Sequence, residues 1–201
     1  ITMSPVKYEK AGTHIYTLRE VNGGTTSKGI TYSDAKFTIE TTITDNGDGT
    51  LSAQHVLKNA EAAIFKNTYS VTPLETELDF GLSKAIDGRD WTDADKFSFT
   101  ISAPEGAPLP ESTTVTVGKS DANAIKFGTI RFTAAGTYKY EIRENAGNAA
   151  GMTYDAHVAT AEVTVTENGE GKLIANVTTK SGHFTNKYRT ELNYTAAGCL
   201  K

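Results

Sequence analysis

At 201 residues the chain has room for one large domain or two ordinary ones, and 38% apolar residues is enough for a core but low for a helical bundle. A formal charge of -4, with Lys and Arg dispersed along the chain, argues against a nucleic-acid or anionic-membrane surface. No apolar run is long enough to cross a bilayer, and the single cysteine, Cys199, precludes an intrachain disulfide.

Thr, Val, Tyr and Phe are plentiful and glycine-containing turns recur at short intervals, a composition that favours strands. An internal repeat organises them. Residues 1–20 (ITMSPVKYEKAGTHIYTLRE) align without a gap on residues 125–144 (IKFGTIRFTAAGTYKYEIRE). Gly29-Ile30-Thr31-Tyr32 answers Gly151-Met152-Thr153-Tyr154, and Phe65-Lys66-Asn67-Thr68-Tyr69 answers Phe184-Thr185-Asn186-Lys187-Tyr188. Repeats of this kind mark copies of one module. Residues 1–70 read as the C-terminal part of a first module whose counterpart of residues 72–124 is missing. Residues 71–189 read as a complete module. Residues 190–201 read as a linker and the start of a third, since Glu191-Leu192-Asn193-Tyr194 echoes Glu77-Leu78-Asp79-Phe80. The chain therefore reads as a piece of a longer string of modules.

In chain order, the complete module predicts a strand over residues 78–86, a polar turn through Asp87-Gly88-Arg89-Asp90, and a strand over 96–102 with Phe97, Phe99 and Ile101 inward. Three prolines make 104–110 a loop. Strands follow over 113–117, 124–132, 137–144 and 159–166. A hairpin turn at Asn168-Gly169-Glu170-Gly171 leads to strands over 172–179 and 183–188. No stretch carries a helical apolar stripe. The predicted fold is all-β: tandem immunoglobulin-like β-sandwich modules, the first incomplete.

Three inward positions are polar. In the first strand, Lys84 shares the face of Leu78, Phe80, Leu82 and Ile86. Glu144 continues the face of Tyr138, Tyr140 and Ile142, and Asn186 lies between Phe184 and Tyr188. Glu20 and Asn67 hold the corresponding positions of the first copy. Burying an ammonium is costly unless it is paired or loses its proton. One reading is a buried Lys–Glu ion pair completed by Asn. The other is chemistry. A buried lysine whose pKa is lowered far enough is a neutral nucleophile, and it can attack a neighbouring carboxamide. Glu144 would polarise the carboxamide, stabilise the oxyanion and carry a proton to the leaving ammonia. The product is an amide between Lys84 and Asn186, formed once and not turned over.

The stretches Leu82-Ser83-Lys84-Ala85-Ile86-Asp87-Gly88, Phe97-Ser98-Phe99, Gly136-Thr137-Tyr138-Lys139-Tyr140-Glu141-Ile142-Arg143-Glu144 and Phe184-Thr185-Asn186-Lys187 resemble the isopeptide-linkage domains of Gram-positive pilins and related surface proteins, of the backbone-pilin type. The resemblance covers nearly the whole chain. It implies a crosslink between Lys84 and Asn186 with Glu144 as catalytic acid, ahead of Glu141, whose parity is outward. In the first copy it implies Glu20 as catalytic and Asn67 as crosslinked to a lysine outside these residues. Lys201 stands too early to be a well-placed donor. The resemblance further implies a structural stalk or shaft module, not a conventional enzyme, without cofactor or metal. Such a module is extracellular, on the cell surface, cell wall or pilus, and its partners are neighbouring modules or subunits of the same fibre.

The alternative is an adhesin-type binding sandwich for a host ligand, in which Lys84, Glu144 and Asn186 are only a buried polar network. Asp45-Asn46-Gly47-Asp48-Gly49 reads as a turn, because it lacks the spaced ligands of a calcium loop. His14, His55, His157 and His183 have no ligand spacing, and Trp91 reads as a packing residue.

Overall fold

Alternation of apolar and polar residues sets where the strands lie, and turn residues set where they end. A computed structural model of the chain describes residues 4–122 and 124–192. The expected third module therefore lies largely outside the described residues, and Cys199 and Lys201 lie wholly outside them. The chain divides into two compact units, Ile1–Ser70 and Val71–Lys201.

The first unit contains strands β1 (Gly12–Arg19), β2 (Thr26–Ser27), β3 (Ile30–Thr31), β4 (Lys36–Asp45), β5 (Leu51–Leu57) and β6 (Thr68–Tyr69). They form an antiparallel sheet of order β1-β4-β5 and a small sheet of order β2-β3-β6. Its buried side chains are few: Phe37, Thr41 and Ile43, all of one parity on β4. Ile15 and Val56 remain exposed.

The second unit contains β7 (Leu74–Glu77), β8 (Ser83–Asp87), β9 (Phe97–Ser102), β10 (Thr114–Val117), β11 (Thr129–Phe132), β12 (Gly136–Asn145), β13 (Met152–Thr153), β14 (Val158–Glu167), β15 (Leu173–Lys180) and β16 (His183–Tyr188). A five-stranded sheet of order β10-β9-β12-β14-β15 forms one layer. The pairs β11-β7 and the trio β13-β16-β8 supply the other strands, with β8 running parallel to β16. One core joins them. Phe99, Ile142 and Val163 from the large sheet pack with Ile130 on β11, Phe184 on β16 and Phe80 from the segment between β7 and β8, all nearly without exposure. Edge-on ring contacts cross the core, Phe80 to Tyr140 at 5.7 Å and Phe99 to Phe184 at 5.1 Å between centroids.

The repeat is visible in the pairing. Leu18 opposes Phe37 in the first unit as Ile142 opposes Ala159 in the second. Ile30 opposes Tyr69 as Met152 opposes Tyr188. Strands β1, β3, β4, β5 and β6 thus correspond to β12 through β16, β2 has no strand counterpart in the second unit, and no strands equivalent to β7 through β11 occur among the described residues of the first.

Two expected strands are shorter than their alternation predicts. The stretch 78–86 is not one strand. β7 ends at Glu77 on β11, and the chain then changes partner before β8 joins β16. Asp79 Oδ1 accepts the Gly81 N–H at 2.8 Å, and Gly81 adopts a φ of 59°, a left-handed value that glycine tolerates without a Cβ clash. Inward parity survives the break: Leu78, Phe80, Leu82 and Lys84 are all buried. The strand expected over 124–132 begins only at Thr129, after Gly128 at a φ of 90°. A short 3-10 turn, Lys119–Asp121, was not foreseen.

Phe99→Ala removes a fully buried ring and is expected to cost about 3–5 kcal/mol. Ile174→Ala, at a site 49% exposed, should cost under about 0.5 kcal/mol. Denaturant midpoints of the two variants in the same background check this, and equal shifts would contradict the core assignment.

Candidate functional site

The alternation that buries Phe80 and Leu82 also buries Lys84, on β8. Glu144 closes the inward row of β12, and Asn186 sits between Phe184 and Tyr188 on β16. The parallel pairing of β8 with β16 sets Lys84 opposite Phe184 and Asn186 opposite Ile86. Glu144 comes from the large sheet. The three polar side chains meet inside the module, with residue exposures of 3% for Lys84, 8% for Glu144 and 0% for Asn186.

Glu144 bridges the other two. Lys84 Nζ donates to Glu144 Oε2 at 2.8 Å, and Asn186 Nδ2 donates to Glu144 Oε1 at 2.7 Å. Asn186 Oδ1 accepts the backbone N–H of Asp155 at 2.8 Å. A backbone N–H can only donate, so this contact fixes which end of the carboxamide is oxygen. Glu144 therefore meets the carboxamide at its nitrogen and not at the oxygen, where the sequence reading has it stabilise the oxyanion.

Aromatic walls surround the group. Lys84 Nζ lies 4.9 Å from the centroid of the Phe97 ring, and Trp91 and Tyr154 stand edge-on to that ring. Trp91 is thus a packing residue of this wall. Burial lowers the Lys84 pKa, and the hydrogen bond and charge of Glu144 oppose that shift, with a smaller contribution from the Asp155 charge.

Asp155 and His157, unassigned by the sequence reading, form the next layer. Asp155 Oδ2 accepts the Thr185 N–H at 2.7 Å, immediately before Asn186. Asp155 Oδ1 accepts the N–H of His157 at 3.1 Å and meets its Nδ1 at 2.7 Å. The His157 ring stacks on Phe184 with centroids 4.4 Å apart, and its Nε2 donates to the Ser181 carbonyl at 2.7 Å. Burial alone would lower the His157 pKa, but the Ser181 carbonyl and the Asp155 carboxylate outweigh it and raise the value. For Asp155, burial would raise the pKa, but the Thr185 and His157 N–H groups and the His157 charge hold it below the usual carboxylate range. The available signal was positional: Asp155 and Ser33 both follow the repeated Gly-x-Thr-Tyr.

The first unit repeats part of the arrangement. Asn67 Nδ2 donates to Glu20 Oε1 at 2.8 Å, and the Ser33 N–H donates to Asn67 Oδ1 at 2.8 Å and to Glu20 Oε2 at 3.1 Å. Asn67 is exposed, unlike Asn186. Glu141 pairs with Arg143 at 2.8 Å and, with buried Ile142 next to it, has the opposite parity to Glu144. The Asp45–Gly49 carboxylates are used in turns: Asp45 Oδ1 accepts the Gly47 N–H, and Asp48 Oδ1 accepts the Thr50 N–H and hydroxyl. Among the described residues no three metal-ligating side chains cluster.

Removing one member of a buried pair strands its partner. In an Asn186→Ala background, Lys84→Ala is expected to destabilise by about 3–5 kcal/mol, and Lys84→Met with Glu144→Leu together should recover most of that loss. Denaturant unfolding of the three chains checks the coupling, and additive costs would contradict it.

No curated protein matches the chain. A family model described as the Spy0128-like isopeptide containing domain, FctA, matches residues 2–70 and 80–189. The domains it describes are structural and not conventional enzymes. The buried amine, carboxyl and carboxamide on three strands of an all-β sandwich stand within that matched range, and the chain belongs to the family of Spy0128-like isopeptide containing domains.

Proposed function

We propose that the second unit, residues 71–189, is a shaft module locked by an amide bond between Lys84 and Asn186, formed autocatalytically with Glu144. The observation that carries this reading is the single buried carboxylate touching both the amine and the carboxamide nitrogen. The reaction is a one-time aminolysis. One Nζ proton moves to the Glu144 carboxylate and leaves a neutral amine. Nζ attacks Asn186 Cγ, and the carbonyl π pair moves onto Oδ1. The Glu144 carboxyl gives a proton to Nδ2 as its other oxygen takes the second Nζ proton. The oxygen pair then re-forms the carbonyl, the C–N bond to Nδ2 breaks and ammonia leaves. The fold supplies the effective concentration, because the reacting groups are held together in a water-poor core.

The bond would close a loop between positions 84 and 186. By analogy with a disulfide closing a loop of that size, the chain-entropy contribution is about 4.7 kcal/mol. Unlike a disulfide, the amide is not reducible. It links the parallel neighbours β8 and β16, so tension applied near either end of the module passes through covalent bonds. Family membership supports a pilin-type role, with assembly onto other pilin subunits at an extracellular surface. In the first unit, residues 1–70, Glu20 and Asn67 await a lysine from outside these residues, on the same chemistry. Residues 190–201 lead toward a further module.

Two measurements test the reading. Proteolytic mapping of the purified chain should yield a branched fragment joining the Lys84 and Asn186 peptides, absent from Glu144→Ala; two separate peptides would refute the bond. The second is the pH dependence of formation. Burial lowers the Lys84 pKa from the usual lysine value, so the neutral amine fraction grows with rising pH through a range below that of a free lysine. The rate of ammonia release from freshly synthesised chain should rise with pH, with its midpoint at a lower pH than a solvent-exposed lysine would give. A rate that falls with rising pH would contradict a neutral-amine attack.

A further inference from the structure

Resting on the crosslink reading above, we infer that the backbone N–H of Asp155 is the oxyanion donor of the reaction, a role distinct from that of Glu144. When Nζ attacks Cγ, the charge develops on Asn186 Oδ1. The group already hydrogen-bonded to Oδ1 is the Asp155 N–H, at 2.8 Å. Both Glu144 oxygens are committed elsewhere, Oε2 to the amine and Oε1 to the departing nitrogen. The two catalytic tasks are therefore divided between the two ends of the carboxamide. Glu144 moves protons at the nitrogen end, and the N–H stabilises charge at the oxygen end.

The donor is held in place before reaction. The carboxylate of the same residue accepts the N–H of Thr185, the residue next to the electrophile, and both the N–H and Nδ1 of His157. His157 is in turn fixed by stacking on Phe184 and by the Ser181 carbonyl. Main chain and side chain of Asp155 thus grip both the Asn186 carboxamide and the strand that carries it. A preorganised donor of this kind costs no reorganisation as charge develops.

The first unit repeats the contact independently. The Ser33 N–H, at the position equivalent to Asp155, donates to Asn67 Oδ1 at 2.8 Å while Asn67 Nδ2 faces Glu20. The side chain differs between the copies, serine against aspartate, and the N–H is what they share. The functional group is then the backbone amide, with the Asp155 side chain as its positioning device in the second unit.

The test replaces that one atom. The full chain is made by cell-free translation with Asp155 supplied either as aspartate or as malic acid, its α-hydroxy acid, which puts an ester oxygen in place of the N–H and keeps the carboxyl. Aliquots quenched in denaturant report the loss of ammonia by intact mass. The ester chain is expected to react about a hundredfold more slowly than the amide chain. An unchanged rate would overturn the assignment while leaving the crosslink intact; an amide chain that never loses ammonia would instead remove the crosslink reading itself. Independently of whether the ester chain folds, amide NMR of the Lys84→Met, Glu144→Gln chain, which cannot crosslink, reads the donor directly. The Asp155 amide proton should be protected from exchange and lose that protection on adding Asn186→Ala. An Asp155 amide that exchanges freely would overturn the proposal.

Discussion

The carboxylate of Glu144 lies inside a β-sandwich, away from water, and accepts two hydrogen bonds there, from an amine and from a carboxamide. A buried carboxylate is tolerated only when its lone pairs are satisfied, and in this module the satisfying groups come from the first and last strands of the parallel β8–β16 pair. The requirement therefore ties three strands from the two layers to one point. It accounts for the fixed orientation of the Asn186 carboxamide against the Asp155 N–H, while burial behind the aromatic wall lowers the basicity of Lys84 against the opposing charge of Glu144. Low dielectric strengthens each of these contacts and also makes the loss of any one of them expensive.

The two units differ in how far this arrangement is completed. In the second, the amine, carboxyl and carboxamide are all present and buried, and the backbone donor is in place. In the first, Glu20, Asn67 and the Ser33 N–H keep the same mutual contacts, with the carboxamide exposed. The strand that carries Lys84 in the second unit has no counterpart among the described residues of the first. The same comparison explains the thin core of the first unit: Phe65, the equivalent of Phe184, meets Phe37 edge-on at 5.1 Å, but the described residues of that unit hold no counterparts of Phe80 and Phe99.

Much of this was legible in the sequence, for physical reasons. Period-two alternation carries parity, and parity alone put Lys84, Glu144 and Asn186 on inward faces. That survived even where the strand did not, because the Asp79–Gly81 turn shifts the chain to a new partner without changing which side chains face in. The break itself was hidden, since an Asx turn inside an alternating stretch leaves the apolar pattern intact. Asp155 and His157 were hidden for another reason. They sit where a loop enters β14, where no periodicity applies, and Asp155 touches Asn186 through a main-chain atom that no residue identity announces. Which end of the carboxamide Glu144 would face was equally beyond the sequence, since it depends on where a backbone donor points.

The most direct measurement is the intact mass of the purified chain under denaturing conditions. A bond between Lys84 and Asn186 removes one ammonia and nothing else, so the measured mass should fall short of the sequence mass by that amount. The deficit should vanish in Lys84→Ala. A wild-type chain whose mass equals that of its sequence would contradict the central claim, and Lys84, Glu144 and Asn186 would then be a buried polar network only.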